Sequence, residues 1–410
     1  MSMIKTDKTI CVMGLGYIGL PTAALLASRG YRVHGVDVHQ RIVDQLNRGE
    51  IHIVEPDLDG YVKKAVESGR FNASLEPTQA DVFMICVPTP FHRTGKDGIP
   101  QPDLSYVIDA AKKIAPFLKE GNGVILESTS PVGSTEKVID AVKEVNGITQ
   151  GVHFAYCPER VLPGRIMTEL IENDRIVGGV DQESTESIAS FYSHFVKGEV
   201  LKTDARTAEM CKLVENASRD SQIAFANELS LICDEVKVDV WELINLANHH
   251  PRVNILQPGC GVGGHCIAVD PWFLVSQSPQ NARLIRAARE VNDGKPDWVV
   301  KKVQEKAVDW REEHGHSARI ACMGLSFKPD IDDLRESPAL RIAQELTKTG
   351  LDVVCCEPHV ENIEGLNLVP CDEIYDRADI FVYLVAHSVF KDLITSDGVN
   401  LDFCGLKAFS

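Results

Sequence analysis

The chain has 410 residues, 44% hydrophobic and 25% charged, with a formal net charge of −17. That length exceeds one ordinary core and predicts two or three domains, while the acidic balance excludes a sequence-independent grip on nucleic acid, which needs basic surface. No apolar run reaches the roughly 18 residues of a membrane-spanning helix. Met1 to Asp7 leads straight into a strand-like run rather than a cleavable signal, so a cytoplasmic protein with no membrane partner is expected.

In chain order, Ile10 to Met13 reads as a strand, Thr22 to Ala27 as a helix and Tyr31 to Val38 as a second strand; further strands fall at Val82 to Val87 and Gly123 to Leu126. This alternation predicts a parallel sheet with helices on both faces. Thr207 to Val236 carries Met210, Leu213, Val214, Ala217, Ile223, Phe225, Ala226, Leu229 and Ile232 at near-helical spacing. One long helix follows, suited to a spine between domains or to a dimer interface. The chain turns highly charged from Lys301 to Ser317, then resumes a strand and helix rhythm at Ala318 to Met323, Pro338 to Thr349, Asp352 to Cys356 and Ile380 to Val385. A second α/β domain therefore starts near Ser317. Twelve cysteines are spread along the chain, several in apolar runs, and most are expected to be reduced.

Gly14-Leu15-Gly16-Tyr17-Ile18-Gly19 follows the first predicted strand and opens the first predicted helix, and Asp37 ends the next strand. Glycines allow the tight turn and close backbone approach to a pyrophosphate, the helix N-terminus supplies N–H donors, and an acid at this distance accepts from the adenosine ribose. Asp37 would repel a 2′-phosphate, so NAD is favoured over NADP, although Arg41 stands four residues on. Val87-Pro88-Thr89-Pro90 and Glu127-Ser128-Thr129-Ser130-Pro131-Val132-Gly133 each follow an apolar strand, where open α/β sheets bind ligands. Thr89 and Thr129 either offer hydroxyls to the cofactor or cap the next helix.

Gly259-Cys260-Gly261-Val262-Gly263-Gly264-His265-Cys266-Ile267-Ala268-Val269-Asp270 places glycines around cysteines and ends in a carboxylate. Such a loop lets backbone approach a ligand closely, and its N–H groups favour a thiolate. Cys260 and Cys266 are rival nucleophiles on these grounds alone. With His249, His250 and His265 they also admit zinc, but the spacing matches no compact Cys/His pattern. Lys212, Glu159 and Asp270, taken singly, read first as a solvated helix face and as surface groups or caps.

The ordered set of Thr129 to Gly133, Cys157-Pro158-Glu159-Arg160, Lys212-x-x-x-Asn216, Gly261-x-Gly263-Gly264-x-Cys266-x-x-x-Asp270, Gly324-Leu325-Ser326-Phe327-Lys328-Pro329-Asp330 and Asp333-Leu334-Arg335-Glu336-Ser337 resembles the UDP-glucose/GDP-mannose dehydrogenase family over essentially the whole chain. The resemblance implies an α/β fold: an N-terminal Rossmann NAD-binding domain over 1–205, a central helical dimerisation region over 206–316 that carries the cysteine loop, and a C-terminal Rossmann-like UDP-sugar-binding domain over 317–410. It implies Cys266 as nucleophile, Lys212 as the cation serving oxyanions or protons at the sugar carbinol, and Asn216 as a polar residue shaping the site. It implies Glu159, Thr129 and Asp270 as residues that position or activate water. Around the cofactor it implies Gly14, Gly16, Tyr17, Ile18, Gly19, Asp37, Arg41, Thr89, Thr129 and Arg335. Around the substrate it implies Arg160, Val161, Lys212, Asn216, Arg219, His250, Arg252, Gly263 and Lys328. The activity implied is a four-electron oxidation of a UDP-sugar at C6 by NAD through a cysteine thiohemiacetal and thioester.

Asn248 to Pro258 and Glu50 to Pro56 resemble the amino-sugar branch of that family, which implies UDP-N-acetyl-D-mannosamine as substrate, with UDP-N-acetylglucosamine or UDP-glucose as alternatives. In that branch an arginine near residue 252 is supplied across a dimer, so a homodimer or higher homo-oligomer is expected. The chain departs from the UDP-glucose enzymes at Ala268-Val269, where Pro-Lys is common, and at Cys260, where proline is common. A two-electron hydroxyacid dehydrogenase would need neither the thiol nor the second α/β domain. A non-catalytic dinucleotide-binding scaffold would not need Lys212 and Asn216.

Overall fold

A computed structural model describes residues 8–92, 98–264, 266–393 and 398–406. The chain divides into two compact units, residues 1–214 and 215–410. The first unit runs β1 (Thr9–Met13), α1 (Gly19–Ser28), β2 (Arg32–Val36), α2 (Gln40–Asn47), α3 (Leu58–Glu67), β3 (Phe71–Ser74), β4 (Val82–Ile85), β5 (Phe91–His92) and β6 (Gln101–Pro102). It continues through α4 (Ser105–Ile114), β7 (Gly123–Leu126), α5 (Ser134–Asn146), β8 (His153–Tyr156), α6 (Ile166–Glu172), β9 (Arg175–Gly179), α7 (Gln182–Tyr192) and β10 (Val200–Asp204) into α8 (Ala205–Val236). The boundary between the units falls inside α8, whose extent matches the long helix predicted from its apolar spacing.

Eight strands form one sheet in the order β10-β9-β8-β7-β4-β1-β2-β3. Successive residues of a strand point to opposite faces: Ile10 and Val12 enter one core, Cys11 and Met13 the other. Burial on both faces explains why these strands read as unbroken apolar runs. The sheet departs from the all-parallel expectation at one place, where β9 pairs antiparallel with β8 at Ala155↔Gly179 and Tyr156↔Gly178. Cys157 to Asp174 returns along the same edge there instead of crossing over. Strand order reverses at β1, with β2 on one side and β4 on the other, which puts the ligand crevice of such sheets beyond their carboxyl ends.

The second unit holds the rest of α8, α9 (Val240–Ala247), α10 (Asp270–Gln277), α11 (Arg283–His314), β11 (Arg319–Met323), α12 (Pro338–Lys348), β12 (Asp352–Cys356), β13 (Ile380–Tyr383) and β14 (Val399–Asp402). Its sheet, ordered β12-β11-β13-β14, is parallel throughout. The charged run from Lys301 belongs to α11. Only Val299, Val303 and Ala307 of that half are buried, a stripe at i, i+4 and i+8 too narrow to stand out among the solvated charges. Cys356 and Cys371 form a disulfide, and the other ten cysteines are free, in keeping with the expectation that most are reduced. Among the described residues no helix is long and apolar enough to cross a membrane.

The two sheets repeat one device. Gly14 (φ +90°) follows β1 and its N–H donates to Val36 O; Gly324 (φ +86°) follows β11 and donates to Cys356 O. Asp37 accepts from the N–H of Leu15 and of His39, and Glu357 accepts from those of Leu325, Ser326 and His359.

Candidate functional site

In the first unit, the three motif glycines answer to different constraints. A Cβ on Gly14 would lie 2.7 Å from Cys86 O, and one on Gly19 would lie 1.8 Å from Gly14 O. Both are excluded by the protein's own backbone. A Cβ on Gly16 meets nothing within 4 Å, so that glycine keeps clear the space over the turn where a pyrophosphate would be cradled. Asp37 is half-buried, held by Leu15 N–H at 3.2 Å and His39 N–H at 3.0 Å. A carboxylate has about four acceptor positions, so it retains capacity for ribose hydroxyls. With α1 opening at Gly19, these residues fit a dinucleotide. Tyr17 and Arg41 are exposed, and Ile18 is half-buried at the N-cap of α1.

Beyond β4, β7 and β8, Thr89 Oγ donates to Thr129 O at 2.6 Å, tying two loops together. Thr129 itself is half-buried. Glu209 on α8 accepts from Gly133 N, Thr135 N and Thr135 Oγ, and so caps α5. Glu159 is turned inward: its carboxylate accepts from Arg175 Nη1 at 2.5 Å and from Arg160 N at 2.7 Å, and its side chain is only 5% exposed. Its main-chain carbonyl accepts from Lys212 Nζ at 2.9 Å. The structure thus brings Glu159 and Lys212 together, through the peptide rather than the carboxylate.

Next to this pair lies Glu127, to which Tyr192 OH donates at 2.5 Å and Cys86 Sγ at 3.2 Å. Burial, then the charge of Glu159, pushes Glu127 up to about 7. Sequence reasoning assigned no role to Glu127, Arg175 or Tyr192. The one available signal was an acid directly after an apolar strand. Arg160 Nη2 donates to Asp174 O at 2.5 Å, and Val161 is half-buried. Glu55 accepts from Gly164 N and Ile166 N, and Glu169 from Leu162 N, so the loop after Glu159 is pinned by two acids.

In the second unit Cys266 is exposed, and its carbonyl accepts from Val269 N at 3.0 Å and Asp270 N at 2.9 Å. Asp270 opens α10 and is buried; Asn216 Nδ2 donates to its Oδ2 at 2.5 Å. Cys260 is buried, its Sγ 3.4 Å from Leu384 O, and burial pushes its thiol up to about 12. It stays a thiol near neutrality, which leaves Cys266 as the reactive candidate of the two. His265 lies outside the described residues.

Packing accounts for the loop's glycines. A Cβ on Gly261 would lie 2.9 Å from Asn292 O, and one on Gly263 would lie 2.7 Å from both Glu336 O and Phe327 Cβ. Gly264 (φ +81°) faces the Phe327 ring, and its N–H donates to Arg335 O at 3.0 Å. The motifs at 324–330 and 333–337 are therefore the bed on which the cysteine loop lies. The Arg335 side chain pairs with Asp333 at 2.6 Å. Lys328, Arg219, His250 and Arg252 are exposed, with Arg252 N donating to His250 Nδ1 at 3.3 Å. Asp330, His359 and His387 also cluster, but His387 Nδ1 accepts the Asp330 N–H at 2.9 Å, and its Nε2 faces Glu357 at 3.2 Å. That lone pair is already engaged in a hydrogen bond, so the trio as it stands is not arranged around a cation.

Comparison with known proteins agrees with this architecture. The profile of the UDP-glucose/GDP-mannose dehydrogenase family, NAD binding domain, matches residues 8–196; that of the central domain matches 206–294, and that of the UDP binding domain matches 321–403. The NDP-N-acetyl-D-galactosaminuronic acid dehydrogenase of Ralstonia nicotianae is 54% identical over 402 residues, 95% of this chain and 93% of that one. The UDP-N-acetyl-D-mannosamine dehydrogenase of Escherichia coli is 53% identical over 414 residues, covering 96% and 97%. A solved UDP-N-acetyl-mannosamine dehydrogenase from S. aureus is 42% identical, with a TM-score of 0.84 over 93% of this chain and 90% of that one. The chain belongs to the UDP-glucose/GDP-mannose dehydrogenase family. It is an NAD-dependent UDP-sugar dehydrogenase.

Proposed function

We propose that this enzyme oxidises UDP-N-acetyl-D-mannosamine at C6 to UDP-N-acetyl-D-mannosaminuronate, with Cys266 carrying the sugar between the two oxidations. The observation that carries the reading is the exposed Cys266 beside the buried Asp270, with Asn216 bonded to that carboxylate. The Gly14 turn and Asp37 would hold NAD, which would supply the hydride acceptor for each oxidation. Lys212 spends one donor on Glu159 O. An ammonium has three donors, so two remain to stabilise negative charge growing on the C6 oxygen.

After the first oxidation gives the aldehyde and a proton, Cys266 Sγ adds to C6, and the thiol proton passes to the new hydroxyl of the thiohemiacetal. Loss of a second hydride and a proton leaves a thioester. Water then adds to that carbonyl, and cleavage of the C–S bond releases the acid and restores the thiol. Asp270, Thr129 and Glu159 serve to orient this water, Glu159 through the segment that it anchors.

In this reading residues 1–205 serve the cofactor, 206–316 the thiol loop and 317–410 the UDP. Gly263, Arg160, Val161, Arg219, His250, Arg252 and Lys328 line the substrate's path, and Arg335 meets the cofactor. A second copy of the chain covers the exposed Phe225, Ile232 and Val236 of α8 and Leu246 of α9, and a need for NAD and a UDP-sugar favours the cytoplasm. The mannosamine assignment draws on the relatives named for that sugar; the relative at 54% identity, named for a galactosaminuronic acid, supports a second reading at the same chemistry.

Turnover of UDP-N-acetylmannosamine, UDP-N-acetylgalactosamine, UDP-N-acetylglucosamine and UDP-glucose tests the sugar. Preference for any but the first overturns the assignment. NADH formed per sugar should approach two, and Cys266→Ala should abolish acid formation while NAD still binds; an active Cys266→Ala enzyme would refute the thioester route.

A further inference from the structure

Four side chains of the second unit, none used in the chemistry above, form one continuous hydrogen-bonded run into the cysteine loop. Arg289 Nη1 donates to Asp220 Oδ1 at 2.5 Å. Asn292 Nδ2 donates to the same oxygen at 2.8 Å, and Asn227 Nδ2 donates to Asn292 Oδ1 at 2.8 Å. Gly259 N–H, at the start of the loop, donates to Asn227 Oδ1 at 2.8 Å. Asp220 and Asn227 are 0% exposed, Arg289 and Asn292 1%.

The sense of this run follows from its charged end. Arginine only donates and an ionised carboxylate only accepts, so Asn292 must turn its NH₂ to Asp220 and its oxygen to Asn227. Asn227 must then present its own oxygen to the loop. An amide's orientation is ordinarily ambiguous; here a buried ion pair sets two of them in series. Residues 220 and 227 lie two turns apart on α8, and 289 and 292 share a face of α11. The main chain of Asn292 also lies close to the loop, its carbonyl oxygen 2.9 Å from where a Gly261 Cβ would be.

A buried ion pair contributes little net stability compared with apolar residues of equal volume, so stability alone is a weak reason for this arrangement. Its output is an acceptor aimed at Gly259. The other end of the loop is held by Gly264 N–H on Arg335 O and by Asp270 N–H on Cys266 O. We infer that Asn227 and Asn292, oriented by the Asp220–Arg289 pair, are positioning residues that fix the base of the cysteine loop and so set where the Cys266 thiol stands. The inference rests on Cys266 as nucleophile. A misplacement of about 1 Å at a reacting group costs on the order of a hundredfold in rate, and here the loss falls on the step that uses the thiol.

The test separates the two oxidations. The first needs no thiol and the second does, so in Asn227→Ala and Asn227→Asp the aldehyde should escape and be captured by hydroxylamine, and NADH per sugar should fall from about two towards one. NAD affinity should stay within about twofold, because these residues lie in the other unit from the Gly14 turn. Asn292→Ser provides a second, milder break in the run. Val354→Ala, a buried change on β12 in a core cluster that holds no residue of the cysteine loop, controls for general loosening and should keep the ratio near two. Asn227 and Asn292 variants that slow both oxidations equally, with no aldehyde trapped, would show a role in folding alone and overturn the inference. A Cys266→Ala enzyme that still makes acid would instead remove the thiol reading on which it rests.

Discussion

The Glu159 carboxylate and the Lys212 ammonium do not meet: Glu159 gives its side chain to Arg175 at 2.5 Å, and its main-chain oxygen to Lys212 at 2.9 Å. Arg175 thereby decides where the peptide that anchors Lys212 can be.

Removing one partner of a buried pair leaves an uncompensated charge. Arg175→Met should therefore lower the unfolding free energy by about 3–5 kcal/mol, read by urea denaturation. Adding Glu159→Leu should recover much of that stability. A loss under about 1 kcal/mol for the single variant, the size typical of an exposed pair, would mean that the pair is not closed from water.

Glu127 carries a pH signature. Its acid is raised from 4.5 to about 7 by burial first and then by Glu159. The folded state therefore holds this proton where the unfolded chain has lost it. Stability from this group is fully present below about 4.5 and is lost as pH rises towards 7. Glu127→Gln should flatten that part of the stability profile relative to the parent. Two profiles that run parallel between these values would contradict the assignment.

The two cysteines of the loop should differ in reactivity. Iodoacetamide at mildly alkaline pH should label Cys266 in the native protein and leave Cys260 unlabelled until unfolding, since only the former is exposed and the latter is pushed up to about 12. Peptide mass analysis over a time course decides this. Equal labelling rates would return Cys260 to candidacy.

Glycine substitutions should separate ligand space from packing. Gly16→Ala meets no atom within 4 Å, so the thermal midpoint should hold while NAD affinity drops by about tenfold or more, as a methyl enters the cradle. Gly263→Ala would drive a Cβ to 2.7 Å from Glu336 O. It should cost about 1–3 kcal/mol of stability, measured by thermal or chemical denaturation. Unchanged stability there would mean that the loop does not lie on the 333–337 segment.

Much of the architecture was legible because it rests on local rules. The first strand, the Gly14 turn and Asp37 carry their signal within one βαβ unit, and the apolar spacing of α8 identified a 32-residue helix. The motif around Cys266 was recognisable as a loop built for close contact. Other features were not legible, because each depends on partners distant in sequence. Nothing in Arg175 or Glu127 alone announces a buried cluster assembled from β4, β7, β8, β9 and α7. The glycines of the cysteine loop read as ligand space, yet three of them are required by Phe327, Glu336, Pro338 and Asn292.

The sequence by itself determined the fold class, the glycine turn after β1 and the family, since periodicity and short motifs are properties of neighbouring residues. Only the tertiary structure decided that Glu159 faces inward, that Cys260 is sealed while Cys266 is exposed, and that an ion pair on α8 and α11 orients two amides towards Gly259. Those outcomes depend on burial and hydrogen-bond direction, which exist only once segments far apart in the chain have packed together.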